Sequence, residues 1–370
     1  MTAGDAELLA AFYRRTWDPG ATAERVAAAR RRGAAANPVA PGEEAPTFVF
    51  TIGGEAVGHL TTIPVRVWDG VEERAFHWLK GLMVLPEQRR GPVGYYLLRE
   101  AARAVGPALA MVVAPEARRL FEGIGFEDLG APRNHLKPLR SGALLRRLDP
   151  ARLGVAGVAA RAAPALGALR RSGLAGPAGM AMDAALAAWT AARGGRRARV
   201  GADAAVGGDV AAAWAACRAG VEAAPSRAED HWRRYGGGEL GAYAEVVARA
   251  GGGRTIGVAA VRAPNAGGEP RLNGIRVATL SDVIAPPADA ACVDAVLAAA
   301  EAAARAAGAD ALLCTASHAA LGPALRRRAY LPLPGNVHFL LRDPDAARPL
   351  PRSLDRWWLL RGDSAADDVF

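Results

Sequence analysis

The stretch that decides the fold is VLPEQRRGPVGYYLL, residues 84–98. It begins at the end of an apolar run, passes through a loop with two arginines and a glycine, and continues with apolar residues at helical spacing. A strand, a loop and a helix in this order bring the unpaired amides of the first helical turn together with basic side chains. Because these amides and the helix dipole favour negative charge, the stretch predicts a phosphate-binding site.

The segments on either side of this stretch predict one α/β domain. Two helices are expected within residues 5–34. Three period-two patterns separated by tight turns predict an antiparallel meander at residues 47–52, 55–69 and 73–85. The chain then predicts helix, strand, helix and strand at residues 93–105, 107–114, 115–126 and 134–139.

The same order of elements recurs after residue 204, which indicates an internal duplication. Helices are expected at residues 205–221 and 226–235, then at 288–307 and 318–328. Strands are expected at residues 242–249, 254–262, 271–284, 309–315, 336–342 and 354–360. We therefore predict a first domain over residues 1–140, a helical alanine-rich linker over 141–203, and a second domain over 204–370.

The loop resembles the acetyl-CoA loop of the GNAT N-acetyltransferase superfamily. That family's pattern is Gln/Arg-x-x-Gly-x-Gly/Ala after a strand ending in Val-x-Pro. Arg89 matches its first position, Gly94 its last, and Pro92 stands where the middle glycine is expected. In a register shifted by one residue, Gly91 takes the middle position and Val93 the last. Residues 117–126 follow the pattern Ala-x-x-Leu-Phe-x-x-x-Gly-Phe. This resembles a second GNAT segment, Ala-x-x-Leu-Tyr-x-x-x-Gly-Phe.

The resemblance implies two GNAT-like domains of α/β (α+β) class, each with a mixed, mostly antiparallel central sheet flanked by helices. It also implies that the co-substrate is acetyl-CoA or another acyl-CoA, and that no metal is needed. By the family's pattern, the cofactor-binding residues are Leu82, Met83, Val84, Arg89, Arg90, Gly91, Val93, Gly94 and Tyr95. Since proline has no amide hydrogen, pyrophosphate binding is expected to depend on Arg89, Arg90 and the amides of residues 93–95.

The sequence offers few candidates for the acid and the base that transfer protons. The family's usual general acid is the tyrosine of its Leu-Tyr segment, and Phe121 occupies that position here. His77, on the strand that leads to the loop, is the predicted general base, because an ordinary histidine pKa near 6.5 suits proton removal near neutrality. His59 on the neighbouring strand is a weaker candidate.

The second half resembles GNAT in outline only. Its loop, Ala285-Pro286-Pro287-Ala288, offers few amides and no positive charge, so one coenzyme A per chain is expected. Its ending at residues 357–364 resembles the Trp-x-x-x-x-Gly-Asp tail of tandem GNAT proteins. Ser281, Asp282 and His338 are candidates for an acceptor cleft, although Asp282 is more simply explained by pairing with an arginine such as Arg276. A basic and aromatic cluster is expected at Arg227, His231, Trp232, Arg233, Arg234 and Tyr235.

Composition limits the class of protein. The 370 residues carry a net charge of +9, which suits an anionic partner. Three cysteines without metal-ligand spacing, no signal sequence and no membrane span predict a cytoplasmic protein. The expected function is transfer of an acetyl or other acyl group from coenzyme A to an amino sugar, a small amine or a peptide amine. The partners are then the amine acceptor, without DNA, in a monomer or homodimer.

Three alternatives remain at this point. In the first, the acyl donor is an acyl carrier protein, whose acidic surface suits a basic enzyme. In the second, the donor is an aminoacyl-tRNA, which also fits the basic charge but needs no coenzyme A loop. In the third, the chain binds acyl-CoA without catalysis, which the phenylalanine at position 121 favours.

Overall fold

In the computed structural model of the chain, the described residues are 2–37, 39–149, 156–193, 207–227, 243–250, 253–269 and 272–364. They divide into two units. The first unit contains the residues up to Gly130 together with Val337–Arg352, and the second unit contains the remaining described residues.

The helices and strands follow the predicted patterns closely in both units. The helices are α1 (Ala3–Thr16), α2 (Ala23–Ala36), α3 (Val93–Val105), α4 (Pro115–Gly123), α5 (Ser141–Arg147), α6 (Ala156–Arg171), α7 (Ala175–Arg193), α8 (Gly207–Arg218), α9 (Ala290–Ala306) and α10 (Leu321–Arg327). The strands are β1 (Thr47–Ile52), β2 (Glu55–Trp68), β3 (Glu73–Val84), β4 (Ala108–Met111), β5 (Glu127–Asp128), β6 (Arg133–Pro138), β7 (Ala224–Pro225), β8 (Tyr243–Arg249), β9 (Thr255–Arg262), β10 (Val277–Ile284), β11 (Ala311–Ala316), β12 (Leu331–Leu333) and β13 (Phe339–Arg342).

Each unit is built on one mixed sheet, and the two sheets have the same topology. The first follows the order β1-β2-β3-β4-β13-β5, and the second follows β8-β9-β10-β11-β6-β12. In both, the third and fourth strands of the order are parallel and every other neighbouring pair is antiparallel. The predicted fold class, two mixed and mostly antiparallel sheets flanked by helices, is confirmed. The matching topology supports an internal duplication.

The units exchange one strand, so their limits differ from the predicted ones. β6, expected in the first domain, pairs with β11 and β12 in the second sheet. β13, expected in the second domain, pairs with β4 and β5 in the first sheet. Alternation along a strand indicates that a strand exists but carries no information about its partner.

The segment predicted as a linker also belongs to a unit. Helices α5, α6 and α7 lie in the second unit, where α5 and α7 touch at two glycines. A Cβ atom on Gly179 would lie 2.3 Å from the backbone of Gly142, so only glycine allows this approach. The expected linker is therefore packed structure over its described residues.

The first unit buries its helices against the sheet through aliphatic and aromatic residues. Leu60 of β2 and Leu98 of α3 are fully buried and share a cluster with Phe121 and Phe126. On the other helices of this unit, Thr2 and Thr22 cap α1 and α2 by accepting bonds from Asp5 and Arg25 amides. The sheet and its helices are therefore fixed by one apolar core and by side-chain caps.

The end of the chain is buried but is not the strand expected at residues 354–360. A 3-10 turn at Leu354–Arg356 leads into Trp357–Leu360, all of which are inaccessible to solvent. The Trp358 indole donates a hydrogen bond of 2.8 Å to the carbonyl of Val283 on β10. The backbone of the tail adds isolated bridges to Ala223 and Ala316, and the Trp358 amide donates to the Ala223 carbonyl over 2.8 Å.

A buried ion triad joins this tail to the second sheet. Arg227 is completely buried, and its guanidinium donates to Asp282 of β10 and to Asp363 at 2.9 Å each. Burial alone lowers the pKa of Arg227, but the two carboxylates outweigh it and raise the pKa above that of free arginine. Asp282 thus pairs with an arginine as expected, but with Arg227, while Arg276 contacts Asp310. The remaining members of the predicted cluster, residues 231–235, lie outside the described residues.

None of the helices within the described residues is long and apolar enough to cross a membrane.

Arg227→Met should destabilise the protein by about 3–5 kcal/mol, because it removes the guanidinium that pairs with two buried carboxylates. Urea unfolding at pH 7 measures the effect. The control is Arg356→Met, which breaks an exposed pair with Glu222 and should cost about 1 kcal/mol or less. Equal losses in the two variants would show that the buried triad contributes no more than a surface pair.

Candidate functional site

The first sheet opens beside the end of β3. Parallel pairing between β3 and β4 covers only three positions, from His77 opposite Ala108 to Leu79 opposite Ala110. Just beyond, β3 has an irregular register against β2 and a left-handed residue at Gly81, with φ of +66°. β3 continues to Val84 along β2 only, so its other edge faces an opening.

Backbone amides at the end of β3 point into this opening. The amide of Leu85 donates to the carbonyl of Val57 over 3.0 Å, toward β2. Because successive residues of a strand direct their amides to opposite edges, those of Leu82 and Val84 point away from β2. The side chain of Arg89 donates to the Val84 carbonyl over 3.1 Å on that same edge. Two of the three predicted strand residues, Leu82 and Val84, therefore present amides to the opening, and Met83 does not.

The loop that follows ends in an uncapped helix. A 3-10 turn covers Pro86–Gln88, and the amide of Gly91 is taken up by the Gln88 carbonyl at 3.0 Å. Helix α3 begins at Val93 without a side-chain cap. Its first intrahelical bond runs from the Tyr96 amide to the Pro92 carbonyl.

The donors of the first turn of α3 are therefore those of Val93, Gly94 and Tyr95, which have no intrahelical acceptor. Helices α1, α2 and α9, in contrast, have such donors bonded to a capping side chain. Of the predicted cradle, the structure brings the three helical amides together, and it uses the Gly91 amide inside the turn.

The charge at this loop is positive. Arg89 and Arg90 are exposed, and Arg89 is held in place by its bond to the Val84 carbonyl. The acidic residue of the loop, Glu87, pairs with Arg15 of α1 at 2.6 Å. Two guanidinium groups thus lie beside an open helix N-terminus, an arrangement that favours an anion.

Glycines allow α3 to approach the sheet closely. A Cβ on Gly58 of β2 would lie 2.7 Å from methyl groups of both Val93 and Leu97. A Cβ on Gly94 would meet Leu120 of α4 at 3.4 Å. Since Val93 and Gly94 are themselves buried, packing against β2 and α4 fixes the position of the helix start.

Exposed aromatic residues flank the helix start. Tyr95 and Tyr96 are 36% and 39% exposed, and tyrosine rings are enriched at binding surfaces. The Arg99 guanidinium carbon lies 5.7 Å and 5.0 Å from their ring centroids. These contacts hold both rings on the outer surface of α3, next to the predicted cradle.

His77 lies away from the opening. It stands five positions before Leu82 on β3, about 16 Å along the strand at ~3.3 Å per residue. It is half-buried, between Pro64 of β2 and Ala108 of β4, and burial lowers its pKa. The structure thus does not bring His77 next to the amides of Leu82 and Val84.

His59 lies beside the β-bulge that the irregular register of β2 and β3 forms near Gly81. Its ring nitrogens contact the Gly81 carbonyl at 3.3 Å and the Tyr13 hydroxyl of α1 at 3.2 Å. Burial lowers the pKa of His59 to about 4 and raises that of Tyr13. The neutral imidazole therefore links α1 to the bulge. Sequence reasoning missed Tyr13, because no signal in α1 indicates which strand residue it will meet.

The other polar candidates have structural partners. Phe121 lies in the apolar core at 5.1 Å from the ring of Phe126, so this position supplies no proton. His338, in the first unit, contacts Asp128 at 2.9 Å. Ser281 and Asp282 are buried in the second unit. Within the described parts of the chain, no three His, Cys, Asp or Glu side chains are grouped as metal ligands.

The equivalent place in the second unit is closed. β10 pairs with β11 from Val277 to Leu280, and its register against β9 then shifts, as in the first sheet. Asp289, however, caps α9 by accepting bonds of 3.0 Å from the amides of Ala291 and Cys292. A carboxylate of the chain itself therefore occupies the helix N-terminus that an anionic ligand would need.

Neither a protein-family model nor a curated protein matches the chain. Solved structures do. The chain is similar to a probable N-acyltransferase from Enterococcus faecalis, at 10% identity over 91% of this chain and 69% of that one, with a TM-score of 0.52. It is also similar to the N-myristoyltransferase of Saccharomyces cerevisiae with bound myristoyl-CoA and inhibitors, at 13% identity over 96% and 83%, with a TM-score of 0.54. The predicted GNAT fold is confirmed.

Gly58→Val should displace the start of α3, because the new side chain overlaps Val93 and Leu97. We expect a loss of about 1–3 kcal/mol in the free energy of unfolding, measured by urea unfolding. The control is Gly33→Ala in α2, where a Cβ meets nothing within 4 Å and should stabilise by up to about 1 kcal/mol. Unchanged stability in Gly58→Val would contradict this close packing.

Stability should fall in acid because His59 is buried as the neutral form. Its folded pKa of about 4 lies below the ordinary value of about 6.5. Between these pH values the unfolded state binds a proton that the folded state does not. The free energy of unfolding therefore drops by up to about 1.4 kcal/mol per pH unit as pH falls through this window.

His59→Gln removes this contribution. Urea unfolding of both proteins between pH 4 and 8 should give a stability difference that is constant above pH 7 and changes below about 6.5. Parallel pH dependences would contradict a buried neutral His59.

Proposed function

We propose that this chain is an N-acyltransferase that takes an acyl group from coenzyme A and passes it to an amine. The observation that carries the proposal is the alignment of two open backbone sites. The amides of Leu82 and Val84 face the opening beside β3, and a few residues later α3 begins uncapped beside Arg89 and Arg90. A thioester carbonyl and a pyrophosphate are the complementary groups.

Each part of the donor has a place in this arrangement. The pyrophosphate accepts bonds from the amides of Val93, Gly94 and Tyr95, and Arg89 and Arg90 add charge-assisted bonds. The pantetheine arm follows the free edge of β3. The thioester carbonyl accepts a bond from the amide of Leu82 or Val84, which stabilises the oxyanion that forms when the amine attacks.

The reaction requires the amine to lose a proton and the coenzyme A sulfur to leave. With Phe121 at the family's general-acid position, either water supplies the proton or the sulfur leaves as a thiolate. A free thiol has a pKa near 8.5, so a thiolate is an accessible leaving group near neutral pH. The chemistry proposed here therefore depends on positioning and on the oxyanion site more than on an acid side chain.

Two histidines remain as candidates for the base. His77 keeps the residue type expected for the role, but it lies about 16 Å along β3 from Leu82. His59 is buried next to Gly81, one residue before Leu82, and contacts both the Gly81 carbonyl and the Tyr13 hydroxyl. The position of His59 supports a role in proton removal more strongly than that of His77.

The solved structures support the donor class. One is called a probable N-acyltransferase, and the other holds myristoyl-CoA. Acetyl-CoA or a longer acyl-CoA is accordingly the proposed co-substrate, and an amino sugar, a small amine or a peptide amine the proposed acceptor. The burial of Phe121 favours one second candidate, a protein that binds acyl-CoA without transferring the acyl group.

The double variant Arg89→Ala/Gly94→Asp should lose acetyl-CoA binding, because it removes a guanidinium and places a carboxylate at the helix start. Calorimetry should show an affinity at least a hundredfold weaker, in line with two or more charge-assisted bonds at ~1.5–3 kcal/mol each. The control Arg103→Ala removes a basic side chain from the last turn of the same helix. Binding unchanged in the double variant would exclude this loop as the site.

Turnover distinguishes the histidines and the two candidate functions. Thiol release from acetyl-CoA is measured with a panel of amines for wild type, His77→Ala, His59→Gln and Tyr13→Phe. We expect a fall of about 10²–10⁴-fold for loss of a proton-transfer residue, at His59 and Tyr13 and not at His77. Tight binding without thiol release from any amine would favour the non-catalytic candidate.

A further inference from the structure

The second unit encloses an apolar cavity of about 360 Å³. Its walls come from the face of the second sheet at Leu136, Val277 and Leu313 and from α5 and the residue after it at Leu144 and Leu148. Of the described residues that line the cavity, nine are leucine, isoleucine, valine or alanine. The same side chains form one hydrophobic cluster, and the cavity opens to solvent beside the exposed lining residues Pro334 and Asn336.

One end of the cavity is polar and carries a positive charge. Arg361, only 2% exposed, lines this end together with Asn134 and Asn336. Arg361 donates to the Thr315 hydroxyl at 3.1 Å, Thr315 donates to Asn134 at 2.6 Å, and Asn134 donates to Asn336 at 3.0 Å. This chain of hydrogen bonds fixes a guanidinium and two side-chain amides at one end of an otherwise apolar wall.

This distribution fits a particular kind of molecule. Apolar walls favour an aliphatic body, and a guanidinium with the side-chain amide of Asn336 favours a carboxylate head. At the ~30 Å³ that one water takes up in the liquid, the volume holds roughly twelve non-hydrogen atoms. Decanoate has that number of atoms, so medium-chain carboxylates match the cavity in both size and polarity.

We propose that the second unit binds a medium-chain aliphatic carboxylate in this cavity, with its head at Arg361 and Asn336. The site is separate from the loop at residues 89–95, and its described lining residues belong to the second unit. The proposal does not depend on acyl transfer by the first unit.

The test uses the full chain without coenzyme A. Thermal unfolding is followed with hexanoate, octanoate or decanoate, and with decylamine and decanol as probes of the same length. We expect octanoate or decanoate to raise the midpoint by at least about 3 °C at saturation. Decylamine and decanol should leave the midpoint unchanged. No shift with any carboxylate, or an equal shift with decylamine, would overturn the proposal.

Variants then locate the site. Ala311→Phe fills the cavity from β11 and should abolish the decanoate shift, while Asn336→Ala at the polar end should weaken binding about fivefold. The control Leu331→Ala alters an exposed residue of β12 outside the cavity and should keep the shift.

A second filling variant covers the case in which Ala311→Phe does not unfold cooperatively. Leu148→Trp, from a half-buried position on the wall, should then abolish the shift in the same way. A decanoate shift that persists in the folded filling variant would place the ligand elsewhere and overturn the assignment. Acetyl-CoA binding, measured in the same variants, should be unchanged, which separates a failure here from a failure of the proposed transferase site.

Discussion

One constraint shapes the candidate site: where β3 runs into α3, it is paired along one edge only. Its neighbour β4 leaves it after three paired residues, while β2 continues to hold the other edge. Amides that face this opening must find an acceptor in water or in a ligand. The uncapped start of α3, a few residues later, imposes the same requirement. A ligand with one carbonyl and one pyrophosphate, joined by a flexible arm, meets both.

The second unit shows how little is needed to remove such a site. It has the same strand order, the same single parallel pair and a register shift at the same place. The difference is local. The loop after β10 contains Pro286 and Pro287, and the carboxylate of Asp289 accepts hydrogen bonds from amides in the first turn of α9. A helix N-terminus favours negative charge from whatever source, and here the chain supplies it. Topology is thus retained while the anion site is filled from within.

Local patterns predicted much of this structure. The limits of β1, β2, β3 and α3 agree with the sequence analysis to within one residue, because alternation and helical spacing over long segments are strong signals. The exchange of β6 and β13 was not predictable, since nothing in a strand's own residues names its neighbour. An aspartate inside the apolar run of β10 demanded a counter-charge, but only the fold selects Arg227 over an arginine such as Arg276.

The candidate site divides in the same way. The open helix start follows from the loop's residues, because no Ser, Thr, Asp or Asn stands at the cap position. The distance of His77 from the opening and the contact of His59 with Tyr13 depend instead on where β4 ends and how α1 lies on the sheet. The tail at residues 354–360 has an apolar pattern typical of a strand, but it makes isolated bridges and an indole hydrogen bond instead of a continuous ladder.

The most direct test of the central claim is amide hydrogen exchange with and without acetyl-CoA. We expect slower exchange at residues 82–84 and 93–95 when acetyl-CoA is bound, because these amides gain acceptors. The exchange rates at residues 285–293 should not change. Equal exchange rates in residues 82–95 with and without saturating acetyl-CoA, or protection at the start of α9 instead, would contradict it.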